Sequence, residues 1–249
     1  MTYGLGMLVD DGLVMIADTR TNAGVDDIST YRKLHLVASG PDRLLVVASA
    51  GNLSMTQRIL ATLAEGLPPA EEGAPPRRLS DVPSMFRAAH LVGEAMAIAS
   101  DRVAAGLAAQ GIATGVSLLL GGRVGHERLR LYLFYEAGNF IECQRDKPFL
   151  QIGDIKYGKP ILDRSLRHDM PVNEAVKIGL ISFDSTMRSN LSVGRPLDLM
   201  VIPADAEAPV VSRRIEVRDI YFDDLSMRWS MLLDEVRATI PQPPFLAPD

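Results

Sequence analysis

The 249-residue chain has one cysteine, Cys143, and one tryptophan, Trp229. A single cysteine excludes any internal disulfide and is compatible with a reducing compartment. Basic residues are not in excess: the formal charge is −5, so no basic footprint invites nucleic acid or an acidic membrane surface. Long apolar runs are missing too. Val116 to Leu120 is strand-length, far short of a bilayer span. The start, Met1-Thr2-Tyr3-Gly4, lacks a basic segment and reaches Asp10-Asp11 after one short apolar run, so it does not read as a signal peptide. These absences together predict a soluble, cytoplasmic protein without nucleic-acid or membrane partners. His35, His90, His126 and His168 are scattered without ligand spacing, so no metal and no cofactor is expected.

What is present is an ordinary globular composition, 47% apolar and 23% charged. The first fifty residues read as strands: Thr2 to Val9, Leu13 to Ala17, Leu34 to Val37 and Leu44 to Ala50. Two amphipathic helices follow, one on Leu53, Ile59, Leu60 and Leu63, the other from Phe86 to Leu107. The Pro-, Glu- and Arg-rich segment Leu67 to Pro83 between them reads as a surface loop. Strands return at Val116 to Leu120, Leu129 to Tyr135, Phe140 to Cys143 and Phe149 to Ile152. Helices are then expected at Tyr157 to Leu166 and from Pro171 through Phe183, with the small Gly179 on the apolar face. A strand at Leu197 to Ile202 precedes a last helix near Asp223 to Ile240. There Leu225, Trp229, Leu232, Leu233 and Val236 share one face. This order does not alternate as a doubly wound sheet does. It predicts antiparallel sheets with helices segregated onto faces, in a single domain over residues 1–249 with a C-terminal extension helix near 221–240.

The first hairpin sets the geometry of the N-terminus. A three-residue loop, Asp10-Asp11-Gly12, pairs Gly4 with Asp18 and Thr2 with Arg20. Thr2, Gly4, Gly6, Asp18 and Arg20 then share one face, with open space beside Thr2 at the glycines. A two-residue loop moves Asp18 to the other face. Taken alone, a threonine at the start of a strand is an ordinary strand residue, Asp18 a strand-end residue and Lys33 a solvated one.

Several segments together resemble the proteasome β-type and HslV-like subunits. These are Thr2, the hairpin end Ile16-Ala17-Asp18-Thr19-Arg20, Lys33 before the third strand, Ala48-Ser49-Ala50-Gly51, Ile152-Gly153-Asp154 and the loop Ser189 to Gly194. Within that group the chain is most similar to Anbu, the bacterial ancestral β-subunit branch. The Met-Thr-Tyr start, Asp18 to Asp26, the run Lys156 to Arg164 and the long last helix with Trp229 carry that likeness, which spans essentially the whole chain.

The resemblance implies an α+β, four-layer αββα sandwich of the N-terminal-nucleophile hydrolase type, and a threonine-type peptidase or amide hydrolase. Thr2 is then the nucleophile once Met1, the single residue ahead of it, is removed. Its α-amine is the base, since an α-amine titrates near neutrality, at a pKa of about 8. Lys33 stands by the hydroxyl and Asp18 holds Lys33. The Ser49 N–H stabilises the oxyanion, while Arg20, Asp154, Ser189 and Ser192 support the site. Thr21 and Asn22 contact the substrate strand. Ser189 stands where an aspartate is usual, and Ser49 where a glycine is; Asp154 either restores the missing carboxylate or caps a helix. The expected partners are further copies of the chain, in a ring or open spiral, and a peptide or protein substrate. Nothing in the sequence specifies an ATPase partner. Two rival functions share the fold: a non-catalytic assembly scaffold, and a small-molecule amidohydrolase.

Overall fold

A computed structural model describes residues 2–22, 28–109 and 113–246. The elements run β1 (Tyr3–Val9), β2 (Gly12–Asp18), β3 (Arg20–Asn22), β4 (Ile28–Thr30), β5 (Leu34–Gly40), β6 (Arg43–Gly51), α1 (Leu53–Glu65) and α2 (Met85–Ala109). Then come β7 (Val116–Val124), β8 (Arg130–Phe134), β9 (Phe140–Glu142), β10 (Phe149–Gly153), α3 (Lys159–Ser165), α4 (Val172–Ser189), β11 (Leu197–Pro203), β12 (Val211–Ile215) and α5 (Ile220–Thr239). Two five-stranded antiparallel sheets form, in the orders β10-β1-β2-β11-β12 and β5-β6-β7-β8-β9. A two-stranded β3–β4 ribbon, absent from the sequence reading, stands apart from both.

Three apolar layers hold the sandwich together. Leu13, Met15 and Ala17 of one sheet meet Val46, Ala48 and Leu119 of the other between the sheets. Leu45, Val47 and Leu118 pack outward beneath α1 and α2, and Leu5, Met7, Val14 and Ile16 beneath the α3–α4 side. Side chains alternate along each strand, so consecutive residues serve different layers. That is why β1 and β2 are apolar at nearly every position rather than at every other one. The result is the expected four-layer αββα arrangement. Segment 67–83 is less superficial than its composition suggests. Leu67, Leu79 and Val82 are buried in the α1–α2 core, and Leu67 and Arg77 exchange two backbone hydrogen bonds of 2.9 Å.

The hairpin register departs from the expected one. Val9 pairs with Gly12 and Gly4 with Ala17, leaving a two-residue Asp10-Asp11 turn. One residue of slip exchanges faces. Thr2, Gly4 and Gly6 therefore share a face with Ala17, Met15 and Leu13, and Asp18 lies on the opposite face. The glycines leave no open space either. A Cβ on Gly4 would stand 2.7 Å from Ile152, and one on Gly6 2.8 Å from Leu131. They let the second layer close down on β1.

The last helix buries Phe222 and Leu225, while Leu232, Leu233 and Val236 are half or more exposed. Its N-terminus is anchored: Asp219 caps it through the Phe222 N–H at 2.9 Å, and Ser226 bonds Asp184 of α4 at 2.7 Å.

Gly179 sets how closely α4 approaches its sheet. A Cβ there would stand 2.6 Å from Met7 Cε and 2.9 Å from Ile16 Cδ1, both far ends of flexible side chains. A methyl group therefore displaces chain ends rather than backbone, and a helical alanine gains about 1 kcal/mol over glycine. Gly179→Ala is expected to leave stability within about 1 kcal/mol of wild type, and Gly179→Leu to cost about 1–3 kcal/mol by overpacking. Urea unfolding of the two variants checks this; equal midpoints would remove the close-approach role.

Candidate active site

Thr2 enters β1 at the rim of the inter-sheet layer and is 7% exposed. Its carbonyl accepts the Asp154 N–H at 2.7 Å. The next residue is tied down on three sides. The Tyr3 N–H donates to Asp18 Oδ1 at 3.1 Å. The Tyr3 phenol lies 2.7 Å from Ser182 Oγ of α4 and accepts from Gln151 Nε2 at 2.6 Å. Burial pushes that phenol up to about 12, against the pull of Ser182 and Gln151. The first strand is thus fixed from both of its neighbouring strands and from α4 at the residue following Thr2.

Asp18 and Lys33 meet although the register puts Asp18 on the other face from the one expected. Asp18 ends β2, fully buried, and Lys33 immediately precedes β5. Lys33 Nζ stands 2.9 Å from Asp18 Oδ1 and 2.5 Å from the Arg20 carbonyl. Burial raises the Asp18 carboxyl above its usual value, while Lys33, and more weakly the Tyr3 and Gly194 N–H groups, pull it back down. Among the described residues no hydrogen bond of good geometry reaches Asp18 Oδ2. Burial likewise lowers Lys33, and Asp18 offsets part of that. The lysine is therefore easier to deprotonate than one in water.

The supporting residues divide. Arg20 donates through Nη1 to the Leu191 carbonyl at 2.7 Å, and its guanidinium lies against Gly194, so it pins the loop after α4. The Ser192 N–H donates to Asn190 Oδ1 at 2.9 Å, and Asn190 Nδ2 bonds the Asp154 carboxylate. Asp154 does not cap a helix; Gly158 holds that position at α3. Ser189, by contrast, is exposed at the end of α4 and lines a surface hollow with Arg188, Trp229 and Leu233. The side chain that reaches Asp154 comes from Asn190, one residue further on. That loop was legible in the sequence, but which of its residues turns inward depends on where α4 stops. Thr21 is half-buried in β3 opposite Ser29. The side chain of Asn22, and Met1 altogether, lie outside the described residues, as do residues 23–26 of the Asp18 to Asp26 run.

The Ser49 N–H is not open to an oxyanion, because it donates to the Lys33 carbonyl at 2.9 Å. Ser49 also lies on the same face of β6 as Leu45 and Val47, which face the helices, so its side chain does not crowd Thr2. The backbone of β6 offers another donor. Ser49 N–H points toward β5, and the Asn52 N–H points the other way, to the Gly115 carbonyl at 3.0 Å. Alternation directs the Gly51 N–H to the β5 side. There the register of β5 has already ended, at Leu34 opposite Ala48. Sequence reading chose Ser49 by likeness; 49 and 51 point the same way, and what separates them as donors is where β5 ends, which needs the sheet.

Among solved structures the chain is similar to Anbu from Yersinia bercovieri, at 43% identity over 97% of this chain and 98% of that one, with a TM-score of 0.86. A Gly-1 mutant of Anbu from Hyphomicrobium sp. strain MC1 shares 42% identity over 98% and 99% of the chains, with a TM-score of 0.88. The Anbu complex of Pseudomonas aeruginosa, solved as a helical assembly, shares 41% identity over 97% and 98%, also at 0.88. The chain belongs to the Anbu family. Its αββα sandwich is accordingly the proteasome-like N-terminal-nucleophile hydrolase fold. No protein-family model and no curated protein matches the chain.

In this Anbu-family chain, Gly153 is what lets β10 close on Thr2. Its φ is +78°, and a Cβ there would fall 2.0 Å from the Thr2 carbonyl oxygen. Neither the dihedral nor the contact admits a side chain. Gly153→Ala is therefore expected to cost about 1–3 kcal/mol through backbone strain and to break the Thr2–Asp154 bond. Thermal unfolding and amide exchange at Asp154 test it; an unchanged Asp154 protection factor would show that the contact is dispensable.

Proposed function

We propose that this chain is a threonine-type amide hydrolase subunit acting on peptides, with Thr2 as nucleophile after removal of Met1. The observation that carries the reading is the buried Lys33–Asp18 pair beside the first strand. Taking two charges out of water is costly, and such a pair is poor value as a stability device. Tied through Asp18 to the N–H of Tyr3, the residue after Thr2, it suits the activation of a weak hydroxyl nucleophile.

In this mechanism the free Thr2 α-amine takes the hydroxyl proton, with Lys33 lowering the pKa of the hydroxyl and relaying the proton. Asp18 orients Lys33 and compensates its charge. The Thr2 Oγ1–carbon bond forms, and the oxyanion is stabilised by the Gly51 N–H in place of that of Ser49. The C–N bond then breaks, the departing amine carries away the proton, and water hydrolyses the ester. Asp154, held by Asn190, supplies the carboxylate near the α-amine that Ser189 does not. The functional unit is a large homo-oligomer of ring or spiral form, in line with the helical assembly of the Pseudomonas relative; the exposed Leu232, Leu233 and Val236 of α5 suit a contact between copies. No helix among the described residues is long and apolar enough to cross a membrane, and a cytoplasmic location agrees with that.

Thr2→Ala is expected to abolish hydrolysis of short peptide amides with the melting temperature unchanged. Retention of Met1 on intact-mass analysis would be equally fatal to the reading, because the base would then be an amide nitrogen.

Lys33→Arg separates charge from proton transfer, since arginine keeps the charge but does not deprotonate. Burial lowers Lys33, so the protonated form that lowers the hydroxyl's pKa, and with it turnover, should be lost as pH rises through that lowered value. The arginine variant should lose at least 100-fold in kcat, the usual scale for general acid–base groups, and should lack this limb. Wild-type kcat in Lys33→Arg would refute the relay. Asp18→Asn should cost activity and also about 3 kcal/mol of stability, because it breaks a buried pair from one side; denaturant unfolding reads the second effect.

A further inference from the structure

Leu191 is 84% exposed, yet its backbone is held on every side. Its carbonyl accepts from Arg20 Nη1 at 2.7 Å. Asn190 before it grips the Asp154 carboxylate, and the Ser192 N–H after it closes onto Asn190 Oδ1 at 2.9 Å. Ile155, the residue after Asp154, is also exposed, at 41%. Two apolar side chains thus stand in water on either side of the Asp154–Asn190 bond, and Asp154 itself is bonded to the Thr2 carbonyl. An apolar residue on a mobile loop can turn inward; one on a pinned backbone stays exposed unless something covers it.

We infer that Leu191 and Ile155 form a specificity-determining lip for an apolar side chain on the leaving-group side of the scissile amide. This rests on the proposed hydrolase reading. Thr2 has two flanks. The strand at Thr21 and the end of β6 at Gly51 offer backbone groups and receive the acyl part of a peptide. The Asp154–Asn190 flank is the other one. When the Thr2 Oγ1–carbon bond forms and the C–N bond breaks, the amine leaves with the proton of the hydroxyl, across Asp154. Its side chain then passes over Leu191 and Ile155. The substrate class is a peptide with a Leu- or Phe-like residue directly after the cleaved bond.

The test uses the full assembled protein and three substrates that share one acyl segment. They carry leucine, serine or glycine after the scissile bond. Leu191→Ser should lower kcat/KM for the leucine peptide by about five- to tenfold, mainly through KM, as loss of an apolar contact does. The serine and glycine peptides should stay within twofold of wild type. Equal losses on all three, or no loss on any, would overturn the lip while leaving the hydrolase reading in place. A fall in oligomer mass on light scattering for Leu191→Ser would assign the lip to a second copy of the chain and overturn it too. Wild-type protein that cleaves none of the three faster than Thr2→Ala would overturn the hydrolase reading and the lip together.

Discussion

The Lys33 ammonium is the constraint around which this end of the molecule is organised. It is buried, so it must be paired, and its two partners come from different strands: Asp18 ends β2 and the Arg20 carbonyl begins β3. The Lys33 carbonyl is held in turn by the Ser49 N–H of β6. One residue therefore ties the end of the central strand of one sheet to the start of the edge strand of the other. Removing a charge from water is unfavourable in isolation, and the cost is offset only where every donor finds an acceptor. This requirement fixes the relative placement of β2, β3 and β5 more tightly than the apolar layer between the sheets does, because apolar contacts tolerate sliding.

A second constraint converges on the same place from the opposite side. The Thr2 carbonyl is held by Asp154, Asp154 by Asn190, and the Asn190 loop by Arg20. Arg20 belongs to both sets, since its carbonyl receives Lys33 and its guanidinium holds the loop after α4. The loop continues through Arg195, which pairs with Asp223 at 2.7 Å at the start of α5. The site is thus continuous with the root of the helix whose far half carries exposed leucine and valine. A subunit contact on that half would press on an element joined to the Thr2 carbonyl by one ion pair and a short run of hydrogen bonds.

Much of this was legible in residues. The apolar runs of β1 and β2, the helical stripes of α1, α2 and α4, and the order of the elements prescribed two antiparallel sheets with helices on their outer faces. Asp18 and Lys33 were named from a likeness in which a hairpin end and a lysine recur at set distances from a threonine. The likeness held because spacing along a strand is nearly a distance in space. The misreadings share one origin. The hairpin register, the choice between Ser49 and Gly51, and the choice between Ser189 and Asn190 all turn on a shift of one or two residues. Such a shift changes which face a side chain presents, or whether an N–H still faces a partner strand, while leaving the sequence pattern unaltered.

By itself, then, the sequence determined which layers exist and marked the side chains proposed to carry the chemistry, because burial periodicity and residue type are local properties of the chain. Tertiary structure alone decided strand register and strand ends. Asp18 reaches Lys33 from the face opposite to Thr2, β5 ends so that Gly51 rather than Ser49 lies beyond its pairing, and Gly153 lets β10 press its backbone against the Thr2 carbonyl. Each of these depends on where a strand's partner begins or ends, and a partner distant in sequence leaves no mark on the residues it faces until the two are paired.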